Sequence, residues 1–262
     1  MLLTALVLLL SAQTEPLCED EDQCRVDCNA GNLAQCQALA DTLVPDEPVE
    51  ALKLYEEACS KGLMHSCAKL AFHLKESVPA NKAQQARALK LTEQACAASD
   101  ALGCANLAAW LWDEGPAFFA RAAVAAEKGC RLKDLFSCGT LGSMYKDGIG
   151  VEKDPKKALS LMNQACEAGY WSTCTVLGVA LIEGSVGKTD PKRAARLFTD
   201  ACENEYAAAC FQLSGANRRG LGVRRDRQKA QALLSQACDL GMAEACPGED
   251  DSDEPTETDD AP

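Results

Sequence analysis

The stretch Cys138–Cys174, CGTLGSMYKDGIGVEKDPKKALSLMNQACEAGYWSTC, decides the fold because the rest of the chain reads as copies of it. It holds two helix-like segments, a glycine-rich turn between them, and two cysteines eight positions apart, Cys166 and Cys174, leading into the next copy. Aligned on such pairs, the chain shows seven: Cys28/Cys36, Cys59/Cys67, Cys96/Cys104, Cys130/Cys138, Cys166/Cys174, Cys202/Cys210 and Cys238/Cys246. Successive pairs start 31 to 37 residues apart. That period is the range of helix-turn-helix solenoids, in which each unit buries its apolar face on its neighbours.

Each copy repeats one internal logic. Three positions after the second cysteine stands a leucine: Leu39, Leu70, Leu107, Leu141, Leu177 and Leu213. A small residue follows it, Ala40, Ala71, Ala108, Gly142, Gly178 or Ser214, and the seventh position is Leu43, Leu74, Leu111, Tyr145, Leu181 or Asn217. Apolar residues at these offsets make one stripe of a helix, and the small residue lets a second helix approach. This first helix ends at a glycine turn, Asp147-Gly148-Ile149-Gly150-Val151 in the fourth copy and Arg219-Gly220-Leu221-Gly222-Val223 in the sixth. A second helix then starts at Asp154-Pro155 or Asp190-Pro191, with Asp as N-cap and Pro in the first helical position.

Composition narrows the class. Sixteen cysteines in 262 residues point to an oxidising compartment. Of the formal net charge of −13, five acids lie between Glu15 and Asp22 and eight between Glu249 and Asp260, so residues 23–246 are formally neutral. No basic face for nucleic acid is implied, and the patch Arg218, Arg219, Arg224, Arg225, Arg227 reads as a solvated loop and helix start. Residues 1–12, MLLTALVLLLSA, are too short to span a bilayer and suit a signal peptide, although they lack a basic leading segment. Residues 13–27 read as an acidic N-terminal cap, and 247–262, PGEDDSDEPTETDDAP, as a disordered acidic tail serving solubility or spacing, with a specific contact to a cation or a basic partner as the alternative.

The pattern LG-x2-Y-x2-G-x-G-V-x2-D-x2-K-A, complete from Leu141 to Ala158, resembles the Sel1-like repeat, a relative of the tetratricopeptide repeat. With its cysteine pairs the chain is similar to the Helicobacter cysteine-rich proteins across residues 28–246, most closely in copies four to six. That resemblance implies an all-α, right-handed α/α solenoid of about six helix pairs with one disulfide per repeat. A tight turn between antiparallel helices can bring each pair together, and closing the nine-residue ring stabilises by roughly 2.6 kcal/mol on the chain-entropy account. Cys18 and Cys24 are left for an eighth bond at the N-terminal end. The alternatives are buried small hydrophobes or a metal store; against the latter, C-x2-C is absent and the histidines are two, His65 and His73.

Three functions are in play. The first is a secreted or periplasmic, noncatalytic scaffold, monomeric and without cofactor, that binds a protein or peptide on the concave face of the solenoid. Positions off the packing stripe of the first helices would carry it: Asn106, Trp110 and Asp113 in the third copy; Thr140, Ser143, Met144 and Asp147 in the fourth; Val176 and Glu183 in the fifth; Gln212 and Arg219 in the sixth. For Trp110 and Met144, burial between repeats is an equal expectation. The second is a β-lactamase or penicillin-binding-like hydrolase, a label borne by relatives in the subfamily. Ser66–Lys69 and Ser143–Lys146 supply S-x-x-K spacing, but S-D-N and K-T-G are missing. The third follows from a resemblance to a cysteine-rich relative of the mitochondrial intermembrane space and implies a haem or oxidase-assembly factor, against which the apolar N-terminus argues for export.

Overall fold

The computed structural model describes residues 18–76 and 82–246; the expected signal peptide and acidic tail lie outside them. Thirteen α-helices are found among the described residues, and no strand. The described residues divide into two compact units, the first ending at Trp110 and the second starting at Leu111.

The first unit opens with α1 (Glu21–Asn29), capped by the Asp20 carboxylate on the main-chain N–H groups of Asp22 and Gln23. It continues through α2 (Leu33–Leu43), α3 (Pro48–Ser60), α4 (Met64–Glu76), α5 (Lys82–Ala97) and most of α6 (Ala101–Asp113). Its core joins the stripe residues Leu39, Leu43, Leu70 and Leu74 to Tyr55 and Trp110.

The second unit has a 3-10 turn (Pro116–Phe118), then α7 (Phe119–Arg131), α8 (Leu135–Asp147), α9 (Pro155–Glu167), α10 (Trp171–Glu183), α11 (Pro191–Glu203), α12 (Ala207–Arg219) and α13 (Arg227–Asp239), closing on a 3-10 turn at Ala243–Ala245. Within a repeat the first helix packs on the second, α8 on α9, α10 on α11, α12 on α13, and each second helix packs on the first helix of the next repeat. Leu177, Leu181, Phe198 and Leu213 lie at the centre of this unit's core.

The turns are built as the residues require. Asp154, Asp190 and Asp226 cap their helices through their carboxylates. Their own N–H groups donate to the carbonyls of Tyr145, Leu181 and Asn217, so each aspartate fastens both ends of its loop. The second helix of each repeat ends in a left-handed residue three positions after its cysteine: Gly31, Gly62, Ser99, Lys133, Gly169, Glu205 and Gly241, with φ between 60° and 97°. The N–H of that residue returns to the cysteine carbonyl, and the next N–H reaches one residue further back, as Gly169 to Cys166 and Tyr170 to Ala165. This doubly bonded helix ending reverses the chain inside the disulfide ring.

All sixteen cysteines are bridged in the eight expected pairs. The seven repeat pairs are Cys28–Cys36, Cys59–Cys67, Cys96–Cys104, Cys130–Cys138, Cys166–Cys174, Cys202–Cys210 and Cys238–Cys246. Their Cα atoms are 4.4–4.8 Å apart. In the six complete repeats the second cysteine, Cys36, Cys67, Cys104, Cys138, Cys174 or Cys210, is at most 1% exposed, just inside the first turn of its helix. These six, Cys210 among them, are therefore interior staples and offer no surface to a ligand. Cys246 departs from the pattern, exposed beside the closing 3-10 turn because no further helix follows to cover it among the described residues. Cys18–Cys24 ties the chain to α1. No helix among the described residues is long and apolar enough to cross a membrane, and no cluster there could hold a metal ion.

Candidate functional site

In the first unit the helices α2, α4 and α6 line a groove of about 590 Å³, closed at its base by Tyr55 of α3. Asp41 of α2 is the hub. Its carboxylate accepts from both Lys69 Nζ, at 2.9 Å to each oxygen, and the Tyr55 hydroxyl. The Tyr55 ring stacks on His73 with centroids 5.7 Å apart, and Phe72 meets His73 edge-on at 5.5 Å. Asn106 of α6 donates to the Ala68 carbonyl at 3.0 Å, which fixes it at the groove wall.

The electrostatics follow from this packing. Burial pushes the His73 imidazole below its ordinary 6.5, helped by Lys69 and opposed by the Asp41 and Glu76 carboxylates. Lys69 and Asp41 neutralise each other. The groove therefore combines an internally compensated ion pair with aromatic faces, and Phe72, 49% exposed, stands at its rim. This suits a ligand that brings apolar side chains and main-chain polar groups.

The two S-x-x-K sequences do not assemble a nucleophile. Ser66 is fully buried and its hydroxyl donates to Gln37 Oε1 at 3.1 Å, while Lys69 turns to Asp41. Ser143 donates back to the Gly139 carbonyl one turn earlier, and Lys146 pairs with Asp147 at 2.6 Å. Serine and lysine of each motif thus commit their hydrogen bonds to structural partners.

Of the residues expected to face a ligand, Asn106 lies in the groove. Asp113, Asp147, Glu183 and Arg219, nine positions after the second cysteine, are exposed or half-exposed, as is Val176 at 39%. Thr140, Ser143 and Gln212 are half-buried. Trp110 and Met144 are corrections: they are 6% and 1% exposed and belong to the packed interior, with Lys75 over the Trp110 ring. Both sit six positions after the cysteine, three residues beyond the stripe leucine, and so on the packing side of the helix. Reading that position as surface drew the apolar stripe too narrow. The remaining groove residues were not read as a binding surface: Lys69 and His73 stood out only in the S-x-x-K spacing and among the two histidines, and Asp41, Tyr55 and Phe72 come from copies one and two, where the glycine turn is degraded. Their signal was a polar or aromatic residue at the second, fifth or sixth position after the cysteine: Asp41, Lys69, Phe72 and His73.

The Sel1 repeat signature matches residues 32–63, 65–100, 140–170, 173–206 and 207–242, well over half of the sequence. The chain belongs to the Sel1 repeat family. The unmatched interval around 101–139 is the copy whose glycine turn is replaced by Gly115 and the 3-10 turn after it. Among proteins of known sequence, Beta-lactamase HcpA of Helicobacter pylori is 51% identical over 41 residues, 16% of each protein. Two solved structures share the fold. A Sel1 repeat protein from Oxalobacter formigenes superposes with a TM-score of 0.69 at 18% identity, covering 84% of this chain and 88% of its own. A protective antigen of uropathogenic Escherichia coli gives 0.68 at 18% identity, covering 86% of this chain and half of its own length. Sel1 repeats are helical modules of protein interaction, and the eight disulfides favour an extracytoplasmic setting.

Proposed function

We propose that this protein is a secreted or periplasmic, noncatalytic scaffold that binds a protein or peptide segment through the groove of α2, α4 and α6. The observation that carries the reading is the pairing of Phe72, a large exposed aromatic, with a wall whose charges are internally compensated and whose helices are stapled at Cys36, Cys67 and Cys104. Stapled helices lose little freedom on binding, so apolar contact in the groove translates into affinity. The hydrolase named in the Helicobacter relative is disfavoured by the buried Ser66 and the back-bonded Ser143.

Panning the full, oxidised protein against a displayed peptide library tests this. Selected peptides should bind about tenfold more weakly to Phe72→Ala or Asn106→Ala and normally to Glu183→Ala, as expected when one contact near 1.4 kcal/mol is lost. Equal binding to all three variants would remove the groove from consideration. Nitrocefin turnover that vanishes in Ser66→Ala or Ser143→Ala would overturn the noncatalytic reading.

A further inference from the structure

The sixth repeat differs from its neighbours in charge. Between positions 218 and 229 it has six Lys or Arg against one acid, Asp226. The equivalent span of the fourth repeat, 146–157, has four against three, and that of the fifth, 182–193, has three against two. The structure gathers Arg224, Arg225 and Lys229 with Val223, Asn217 and Asp226 around a pocket of about 560 Å³ at the first turn of α13. Asp226 engages its carboxylate with the Lys229 N–H. Among the described residues no ion pair reaches Arg218, Arg224 or Arg225, all of which are exposed. Residues 23–246 as a whole balance their charges to zero, so this surplus is local.

We propose that the pocket at Arg224, Arg225 and Lys229 is the docking site of the chain's own acidic segment, Glu249–Asp260. Charge complementarity is the first ground: that segment has eight acids and no base. Reach is the second. The Cys238–Cys246 bridge holds Cys246 beside the last turn of α13, with Cα atoms 4.8 Å apart. The pocket lies at the other end of this 13-residue helix, about 20 Å away at 1.5 Å per residue. An extended chain covers that in about six or seven residues, which brings the acids from Asp253 onward over the arginines. Tethering is the third: a short linker gives the segment an effective concentration on the order of millimolar, enough to populate a contact that would be weak between separate molecules.

The test uses the full chain throughout. A fluorescein-labelled peptide of residues 248–261 is titrated, by anisotropy at low salt, into three proteins: wild type, a variant with the eight acids of 249–260 changed to their amides, and that variant with Arg224→Gln and Arg225→Gln added. Circular dichroism confirms that each keeps its helices. The neutralised variant should bind the peptide about tenfold more tightly than wild type, and removing the two arginines should cost about tenfold again. Binding should fade as salt rises. Equal affinity for wild type and the neutralised variant, affinity indifferent to the arginines, or no binding would each overturn the proposal. So would a wild-type mass that grows with concentration and falls on neutralisation, which would assign the segment to a second copy.

Discussion

Gly178 and Phe198 share one space. A Cβ on Gly178 would fall 2.4 Å from Cε1 of Phe198, whose ring is fully buried across the α10–α11 contact. The fourth repeat repeats the relation with Gly142 and Met162, at 2.6 Å from Cγ. Gly178→Ala should therefore destabilise by about 1–3 kcal/mol through overpacking. Adding Phe198→Leu should recover part of that loss. A double-mutant cycle by chemical denaturation measures the coupling, and strictly additive effects would show that the two residues do not compete for the space.

Lys133 and Glu205 hold left-handed backbone, φ 67° and 60°, where four equivalent repeats use glycine. An L-residue there costs about 1–2 kcal/mol, partly offset by the entropy glycine loses on folding. Lys133→Gly should thus raise stability by about 0.5–1 kcal/mol, and Gly169→Ala should lower it by about the same amount. Thermal midpoints under oxidising conditions decide both signs.

Asp41 serves two helices at once, accepting from Lys69 of α4 and Tyr55 of α3. Asp41→Ala removes the acceptor they share, with Tyr55 only 1% exposed, and should cost about 1–3 kcal/mol. Tyr55→Phe deletes one donor alone and should cost about 1 kcal/mol. Urea midpoints with an unchanged slope are the measurement.

His73 gives the groove a pH dependence. Its folded value lies below its ordinary 6.5, so as pH falls the unfolded chain takes up this proton before the folded chain does. Stability from the neutral ring is complete above 6.5 and is lost as pH drops toward the depressed folded value. The groups around the ring are Tyr55, Phe72, Asp41, Lys69 and Glu76. Denaturation midpoints taken at about pH 7.5 and about pH 5.5 should fall further in wild type than in His73→Gln. Parallel declines would assign the dependence to other groups.

The architecture was legible because its determinants are local and recur. A cysteine pair, a leucine three positions on, an aspartate before a proline and a glycine after the helix each act within one turn of chain, and their repetition multiplies the signal. The left-handed site inside the disulfide ring was partly legible, since glycine marks it at Gly31, Gly62, Gly169 and Gly241. Ser99, Lys133 and Glu205 hid it. The groove was not legible. Asp41, Tyr55, Lys69 and His73 meet only when three helices from two repeats are packed together, and each alone reads as an ordinary surface polar or core aromatic. Trp110 and Met144 show the converse, where a helical wheel resolved the packed side but not its width.

The bridges join residues at most eight apart, so none ties one repeat to a distant one. The chain is stapled without being cross-linked. Pulled from its two ends, it should yield repeat by repeat, each rupture releasing the 28 residues of a 36-residue period that lie outside the eight-residue bridge span, about 95 Å at full extension. The staples would survive every step, leaving each helix reversal covalently marked for its return when the tension drops.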